Sequence, residues 1–250
     1  MTDKILSFYD LTGVALEPWA ENGYQCYAFD IQHPEFKAPR EFPSGGAIHY
    51  IKADLHDVST WHELLWKHQF KDDVALVMGW PVCTDLAVSG AKHWAKKAEA
   101  NPNFQLDAVR HAKRIAEFAN WIDAPYLIEN PVGRLSTLWR KPDIYFHPYQ
   151  FGGYLSEAEA VHPTYPDHIA PRDAYFKKTG LWVGNGFVIP ELRPVDPDAR
   201  DKFGMSKQFA KLGGKSLKTK NIRSATPRGL AKAIFAANGF PLYPWACASA

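Results

Sequence analysis

Short apolar segments alternate with amphipathic ones through the first half of the chain, and this alternation restricts the possible folds more than any other feature. Strands are predicted at ILSFYDL, YQCYAFDI, AIHYIKADL, VALVMGW and APYLIENP. Helices are predicted between them, and the clearest is DAVRHAKRIAEFANWI, in which apolar residues recur at helical spacing. Strands separated by helices predict an α/β fold with a doubly wound, mostly parallel sheet.

The predicted strands end in residues that carry chemistry. These residues are Asp10, Asp30, Asp54, Cys83 and Glu129. Ligands of open α/β sheets bind outside the carboxyl ends of the strands, where such residues come together. We therefore expect the functional site at this edge, although aspartates at strand ends also cap turns and helices.

Cys83 lies in a proline-containing loop, GWPVCTDLAVSG, and three roles are open to it: nucleophile, metal ligand or small core residue. A metal site is disfavoured, because no second cysteine lies within ligand spacing and His93 alone does not make a site. A cysteine–histidine hydrolase remains possible, since the chain has ten histidines. The carboxyl of Glu129 is expected at the same sheet edge. A thiolate and a neighbouring carboxylic acid suit addition to an electron-poor ring.

The loop GWPVC followed by IENPVGRL resembles the two signature motifs of the DNA cytosine-5 methyltransferases. In that family a Gly-x-Pro-Pro-Cys loop carries the nucleophile, and a Glu-Asn dipeptide contacts the cytosine. The opening FYDLTGVALEPWAENGYQCYAFDI and the late segment IRSATPRGLAKAIFAANGFP are similar to further motifs of the family, in the same order. Val82, Thr84 and Gly229 depart from its usual residues. The stretch from Tyr145 to Asn221 is short for a full target-recognition domain, so the chain resembles a compact, phage-type member.

The resemblance implies a fold like that of the S-adenosylmethionine-dependent methyltransferases and transfer of a methyl group to C5 of cytosine in DNA. It implies that Cys83 and Glu129 are catalytic, and that the cytosine is flipped out of the duplex. Residues implied to bind S-adenosylmethionine are Asp10, Leu11, Gly13, Asp30 and Asp54. Residues expected to bind the substrate are Ser89, Asn130, Arg134, Lys215, Lys218 and Arg223. Trp80 is interpreted as a core residue rather than a wall of the pocket.

Two other functions remain open at this stage. One is the same chemistry on a free cytosine nucleotide, on RNA, or with a modified donor; the other is a non-catalytic DNA-binding protein. The segment Lys202–Arg228 carries eight basic residues and no acidic one, in a chain whose formal net charge is only +2. Its glycines and serines predict a flexible loop suited to a phosphate backbone, which favours polymeric nucleic acid.

The predicted organisation is a catalytic and cofactor-binding core over residues 1–145, a small irregular lobe over 146–222 that contains the basic loop, and a C-terminal helix over 223–250 that returns to the core. Three scattered cysteines indicate a reducing compartment, and the cytoplasm is expected. The sequence contains no stretch of 18 apolar residues, so no membrane span is predicted. No metal is predicted, and the sequence carries no signal of oligomeric state.

Overall fold

The computed structural model describes residues 3–66, 70–198, 212, 216–240 and 242. Within these residues one sheet of eight strands has the order β3-β4-β2-β1-β5-β6-β8-β7. The strands are β1 (Lys4–Phe8), β2 (Gln25–Asp30), β3 (Arg40–Glu41), β4 (Ala47–Lys52), β5 (Val74–Gly79), β6 (Tyr126–Pro131), β7 (Ile144–Phe146) and β8 (Thr179–Gly184).

The helices of the described residues differ widely in length. The α-helices are α1 (Glu17–Ala20), α2 (Val58–Trp66), α3 (Trp94–Ala100), α4 (Phe104–Trp121), α5 (Leu135–Leu138), α6 (Leu217–Ser224) and α7 (Arg228–Asn238). Short 3-10 helices cover Val14–Leu16, Val88–His93, Pro148–Tyr154, Glu157–Glu159 and Pro171–Asp173.

The centre of the sheet is parallel: β4 pairs with β2, β2 with β1, β1 with β5, and β5 with β6. The predicted α/β fold with a mostly parallel sheet is confirmed, and it is compatible with a Rossmann-like arrangement. The sheet is nevertheless mixed. β3 runs antiparallel to β4, and β8 runs antiparallel to β6. Neither strand is among the five that were placed from the sequence.

Burial explains the apolar character of the central strands. In β1 the four consecutive residues Ile5 to Phe8 are fully buried, because the strand has neighbours on both sides and covered faces above and below. On one face the Phe8 ring stacks on Phe29 at 5.0 Å and meets the edge of Phe118, from α4, at 5.5 Å. This core fixes the strands whose carboxyl ends carry the predicted site.

The chain forms two compact units that differ from the predicted division. The first contains the residues up to Tyr145 together with Thr179–Phe187 and Phe240, so β8 belongs to it. The second contains the described residues of 146–178 and 188–239. Helix α7 was expected to return to the core, but it belongs to the second unit. There Gly229 approaches the 3-10 helix Pro148–Tyr154 so closely that a Cβ would lie 2.4 Å from the carbonyl oxygen of Phe151.

The basic segment contains a helix, and the prediction of a flexible loop is wrong for α6. Ser216 caps this helix by accepting a hydrogen bond from the Thr219 backbone N–H at 3.2 Å. Ile222 anchors it in a small apolar cluster with Ile169 and Tyr175. Residues 202–211 and 213–215 of the segment, including Lys215, lie outside the described residues.

Candidate functional site

Five parallel strands bring the predicted site residues to one edge of the sheet. Asp10 and Asp54 follow β1 and β4, Asp30 is the last residue of β2, and Glu129 lies in β6. Cys83 follows β5 after a short loop. Because β1 is the neighbour of both β2 and β5, the strand order reverses between β1 and β5. A reversal of this kind opens a crevice at the carboxyl ends of the strands, where α/β proteins bind ligands.

The loop that carries Cys83 is a tight turn. The carbonyl of Cys83 accepts hydrogen bonds from the backbone N–H groups of Leu86 and Ala87, at 3.0 and 2.8 Å. The side chain of Cys83 is half-buried and is not part of a disulfide. Cys26, in β2, is fully buried instead, and burial raises the pKa of its thiol well above the ordinary value. Of these two cysteines, Cys83 is the one that a reactant can approach.

The Cys83 loop is joined to the chain that follows Glu129. The Asn130 side-chain amide donates to the carbonyl of Pro81 at 2.9 Å. Further along, Ala87 and Gly133 form an antiparallel bridge. At this bridge the chains are so close that a Cβ on Gly133 would lie 2.0 Å from the carbonyl oxygen of Leu86, which only glycine allows.

Two more backbone hydrogen bonds complete this junction. The Val88 N–H donates to the carbonyl of Val132 at 3.1 Å, and the Arg134 N–H donates to the carbonyl of Leu86 at 2.8 Å. The two sequence segments that carry the family resemblance are therefore neighbours in space, as their strand positions predict. Together they form one hydrogen-bonded junction at the sheet edge.

Glu129 and Asn130 serve opposite sides of β6. Asn130 is fully buried, whereas Glu129 is half-buried. Successive side chains of a strand alternate between the two faces of the sheet. Asn130 thus holds the Cys83 loop from within the core, whereas Glu129 keeps part of its surface exposed.

Asp10 organises the turn that follows β1. Its Oδ1 accepts hydrogen bonds from the N–H groups of Gly13 and Thr12, at 2.7 and 3.1 Å, and its Oδ2 accepts one from the hydroxyl of Ser7 at 2.8 Å. The side chain is almost completely buried, and burial raises its pKa above the ordinary value despite these donors. The Asp10 carboxyl therefore holds the turn from its buried side, where Gly13 is also buried, while Leu11 and Thr12 are half-buried.

Gly13 and Asp30, two further residues predicted to bind the cofactor, are both buried at this edge. Gly13 has a φ of 73°, a left-handed conformation that glycine adopts without strain. A Cβ at this position would lie 3.2 Å from the ring of Tyr50, so the turn packs closely on β4. Asp30 accepts a hydrogen bond from the Gln32 N–H at 2.8 Å through Oδ1.

His33 is a buried member of this edge that the sequence analysis missed. Its ring donates from Nε2 to the carbonyl of Asp10 at 3.0 Å, and burial lowers its pKa. It therefore ties the segment after β2 to the turn after β1. No spacing in the sequence indicates this contact, because His33 and Asp10 are brought together only by the pairing of their strands.

Among the residues predicted to bind the cofactor, Asp54 has the surroundings that least suggest a ligand site. It is exposed, and its Oδ1 accepts a hydrogen bond from the His56 N–H at 3.0 Å, as in an ordinary aspartate turn. A second group missed from the sequence lies beside it. The rings of His56 and His111 are 3.9 Å apart, and the Tyr9 hydroxyl donates to the carbonyl of Leu55 at 3.1 Å.

The other predicted substrate-binding residues are spread over both units. Ser89, in the 3-10 helix after Cys83, is exposed, and Arg134 is half-buried at the start of α5. Lys218 and Arg223 are exposed on α6 in the second unit. Trp80 is half-buried rather than a core residue, and its indole N–H donates to the Ser7 hydroxyl at 2.9 Å.

The described residues contain neither a cluster of metal ligands nor a membrane-spanning helix. In that part of the chain no group of three or more His, Cys, Asp or Glu side chains could hold a metal ion. No helix there is long and apolar enough to cross a membrane.

The carboxyl edge of the sheet gathers several groups that can take part in chemistry. It offers an accessible thiol, a carboxyl on the adjacent strand, and a glycine turn with an acid beside it. No protein-family model and no curated protein matches the chain.

Proposed function

We propose that the chain transfers a methyl group from S-adenosylmethionine to C5 of cytosine in DNA, through a covalent adduct between Cys83 and C6 of the base. The observation that carries the proposal is the junction between the Cys83 loop and the segment after Glu129. Hydrogen bonds from Asn130 to Pro81 and from Arg134 to Leu86 hold the thiol and the carboxyl at one edge of the sheet.

In the proposed mechanism the Cys83 thiolate adds to C6, and the ring acquires carbanion character at C5. Glu129 donates a hydrogen bond to N3 and accepts one from the exocyclic amine, which stabilises the negative charge on the ring. S-adenosylmethionine, when bound, would supply the electrophilic methyl group for C5 and would leave as S-adenosylhomocysteine. A base then removes the proton from C5, the C5–C6 double bond forms again, and the thiolate leaves.

The proposed cofactor site is the turn after β1 together with the end of β2. Leu11 and Gly13 would lie near the methionine portion, because they belong to the turn at the carboxyl end of β1, where ligands of open α/β sheets bind. Asp30 would accept hydrogen bonds from the ribose hydroxyls, as an acid after the second strand of a dinucleotide-type fold does. Asp10 is proposed to act indirectly, since its carboxyl oxygens already bind Ser7, Thr12 and Gly13.

DNA is the preferred substrate because of the charge on α6. The helix carries Lys218, Lys220 and Arg223 on exposed positions and no acidic residue. Such a group suits phosphates, whose contacts supply most of the sequence-independent affinity for nucleic acid. A cytosine in duplex DNA must be flipped out before Cys83 reaches it.

DNA that contains 5-fluorocytosine tests the proposal. After thiolate addition and methyl transfer, fluorine takes the place of the proton that must be removed, so a covalent complex survives denaturing electrophoresis. Cys83→Ser should abolish the complex, whereas Cys26→Ser should retain it. Glu129→Gln should form the complex much more slowly, since an amide cannot supply the proton at N3.

The other functions give different outcomes in the same assay. Trapping by 5-fluoro-dCMP or by fluorinated RNA, but not by DNA, would replace DNA with that substrate. Mass spectrometry of nucleosides from DNA of cells that express the protein would identify a group larger than methyl. Binding of DNA with no complex on any fluorinated substrate, and with no modified nucleoside in those cells, would favour the non-catalytic DNA-binding protein.

A further inference from the structure

A chain of three side chains connects the turn after β1 with the loop that carries Cys83. The indole N–H of Trp80 donates to the hydroxyl of Ser7 at 2.9 Å, and this hydroxyl donates to Oδ2 of Asp10 at 2.8 Å. Trp80 precedes Cys83 by three residues. Asp10 in turn holds the backbone N–H of Gly13 at 2.7 Å. The chain therefore runs from the proposed cofactor turn to the nucleophile loop.

The chemistry of the three groups determines which group donates and which accepts in each hydrogen bond of this side-chain series. An indole N–H only donates, a serine hydroxyl has one hydrogen to donate, and a carboxylate only accepts. Ser7 is fully buried and Asp10 is almost completely buried, so water cannot replace a partner that moves away. A change in the turn that displaces Asp10 must therefore change the hydrogen bond that Trp80 makes.

The other contacts of the loop lead to a different strand. Asn130 holds the carbonyl of Pro81, and Gly133 bridges to Ala87, so both of these contacts connect the loop to β6. The backbone N–H of Trp80 donates to the carbonyl of Phe8 at 3.0 Å. Trp80 is thus attached to β1 and its turn through both its backbone and its side chain.

We propose that Ser7 and Trp80 are positioning residues that couple the turn after β1 to the reactivity of Cys83. A ligand bound at the turn after β1 changes the rate at which the Cys83 thiol reacts, and the effect passes through the Trp80–Ser7–Asp10 chain. Coupling between two binding sites is reciprocal, so occupation of the Cys83 pocket also changes affinity at the turn. The identity of the ligand, S-adenosylmethionine or its demethylated product, rests on the proposed function.

The test is the rate of alkylation of Cys83 by iodoacetamide in the full chain, followed by mass spectrometry of the Cys83 peptide. The rate is measured with and without saturating S-adenosylhomocysteine, whose binding is measured separately by calorimetry. In the wild-type protein the ligand should change the rate by about fivefold or more, the lower end of ordinary coupling between sites. In Ser7→Ala and in Trp80→Phe the rates with and without ligand should agree within about twofold, while the ligand still binds.

Two variants distinguish a positioning role of Ser7 and Trp80 from a loss of folded structure. Ser44→Ala is the matched control, because it removes a hydroxyl that donates to the carbonyl of Ala20 at 2.7 Å, away from the chain of Trp80. It should keep the wild-type response. Trp80→Phe leaves the hydrogen bond between Ser7 and Asp10 intact, so this variant tests the link even if Ser7→Ala does not fold.

Three results would contradict the proposed coupling. An equal response in the wild type and in Trp80→Phe would overturn it, because the coupling would then run elsewhere. Binding of S-adenosylhomocysteine without any change at Cys83 in the wild type would also overturn it, while covalent trapping by 5-fluorocytosine DNA would leave the proposed function standing. No binding of S-adenosylhomocysteine would reject the proposed cofactor and the coupling together.

Discussion

The side-chain amide of Asn130 donates a hydrogen bond to the main-chain carbonyl of Pro81 over 2.9 Å, and this contact fastens the end of β6 to the loop of Cys83. Asn130 is fully buried, so neither group can turn to water if the bond is lost. In the described residues its Oδ1 has no hydrogen-bond partner. The amide nitrogen of Asn130, which donates to the Pro81 carbonyl, is therefore the part of the side chain that holds the loop.

Replacement of Asn130 should destabilise the protein. A substitution that introduces a charge should destabilise it more than one that only removes the hydrogen-bond donor. Asn130→Ala should lower the free energy of unfolding by about 1–3 kcal/mol, because a buried carbonyl loses its partner. Asn130→Asp should cost more at pH 8, since it sets a buried charge against the Pro81 carbonyl. Urea denaturation measures both. Asn120→Ala, at an exposed position within α4, should not destabilise the protein, because alanine is the better helix former.

Gly133→Ala should separate the Cys83 loop from the segment after β6. A Cβ there would meet the Leu86 carbonyl oxygen at 2.0 Å, so the bridge to Ala87 must open. We expect slower formation of the covalent complex with 5-fluorocytosine DNA and a lower melting temperature. Lys96→Ala, on the exposed surface of α3, is the control and should match the wild type. Unchanged trapping in Gly133→Ala would show that the bridge does not position the thiol.

Cys83 should react with iodoacetamide at pH 7.5 faster than Cys26. Burial raises the pKa of the Cys26 thiol, so little thiolate is present there, and its side chain is closed to the reagent. Peptide mass spectrometry of the native protein measures the two rates. Under denaturing conditions the rates should become similar. Faster labelling of Cys26 in the native protein would contradict the burial of β2.

The stability of the second unit should fall as the pH falls from 6.5 to 4 because of His162. Burial, with a further contribution from Arg228, lowers the pKa of His162 from 6.5 to about 4. In this range the unfolded chain binds a proton that the folded chain does not, so acid favours unfolding. The ring accepts hydrogen bonds at Nδ1 from the N–H groups of Thr164 and Tyr165, both at 3.1 Å.

His162→Asn provides the measurement of this contribution. Asparagine can accept the same backbone hydrogen bonds but does not titrate. The difference in free energy of unfolding, wild type minus variant, should decrease as the pH is lowered from 6.5 to 4, whatever its value at pH 7. The comparison also removes the opposing effect of Asp173, whose pKa burial raises to about 6, since this residue is present in both proteins. A difference that is constant with pH would refute the assignment.

The parallel sheet and the proximity of the Cys83 and Glu129 segments could be predicted from the sequence. Strands buried on both faces are rich in apolar residues, which makes β1, β2 and β5 recognisable as short, mainly apolar segments. Their parallel arrangement places their carboxyl ends together whatever the loops contain. The sequence therefore located the candidate site without any knowledge of side-chain packing.

Contacts that depend on strand order could not be predicted in this way. The bond between Ser7 and Trp80 requires that β1 lie beside β5 with Ser7 opposite Met78. The hydrogen bonds that Asp10 accepts from its own turn depend on the left-handed conformation at Gly13. Helix α6 was missed because the glycines and serines around it resemble a loop, although Ser216 is a normal helix cap.

The position of β8 has a consequence for the order in which the chain can fold. β6 pairs with β8 along six residues, Tyr126–Pro131 with Thr179–Gly184, yet residues 132–178 are synthesised between them. Until β8 leaves the ribosome, one edge of β6 exposes unpaired backbone groups directly beside Glu129. Unpaired edges of this kind recruit other strands and promote aggregation. A chain truncated before Thr179 should therefore be prone to self-association, even though it contains Cys83, Glu129 and the whole parallel part of the sheet.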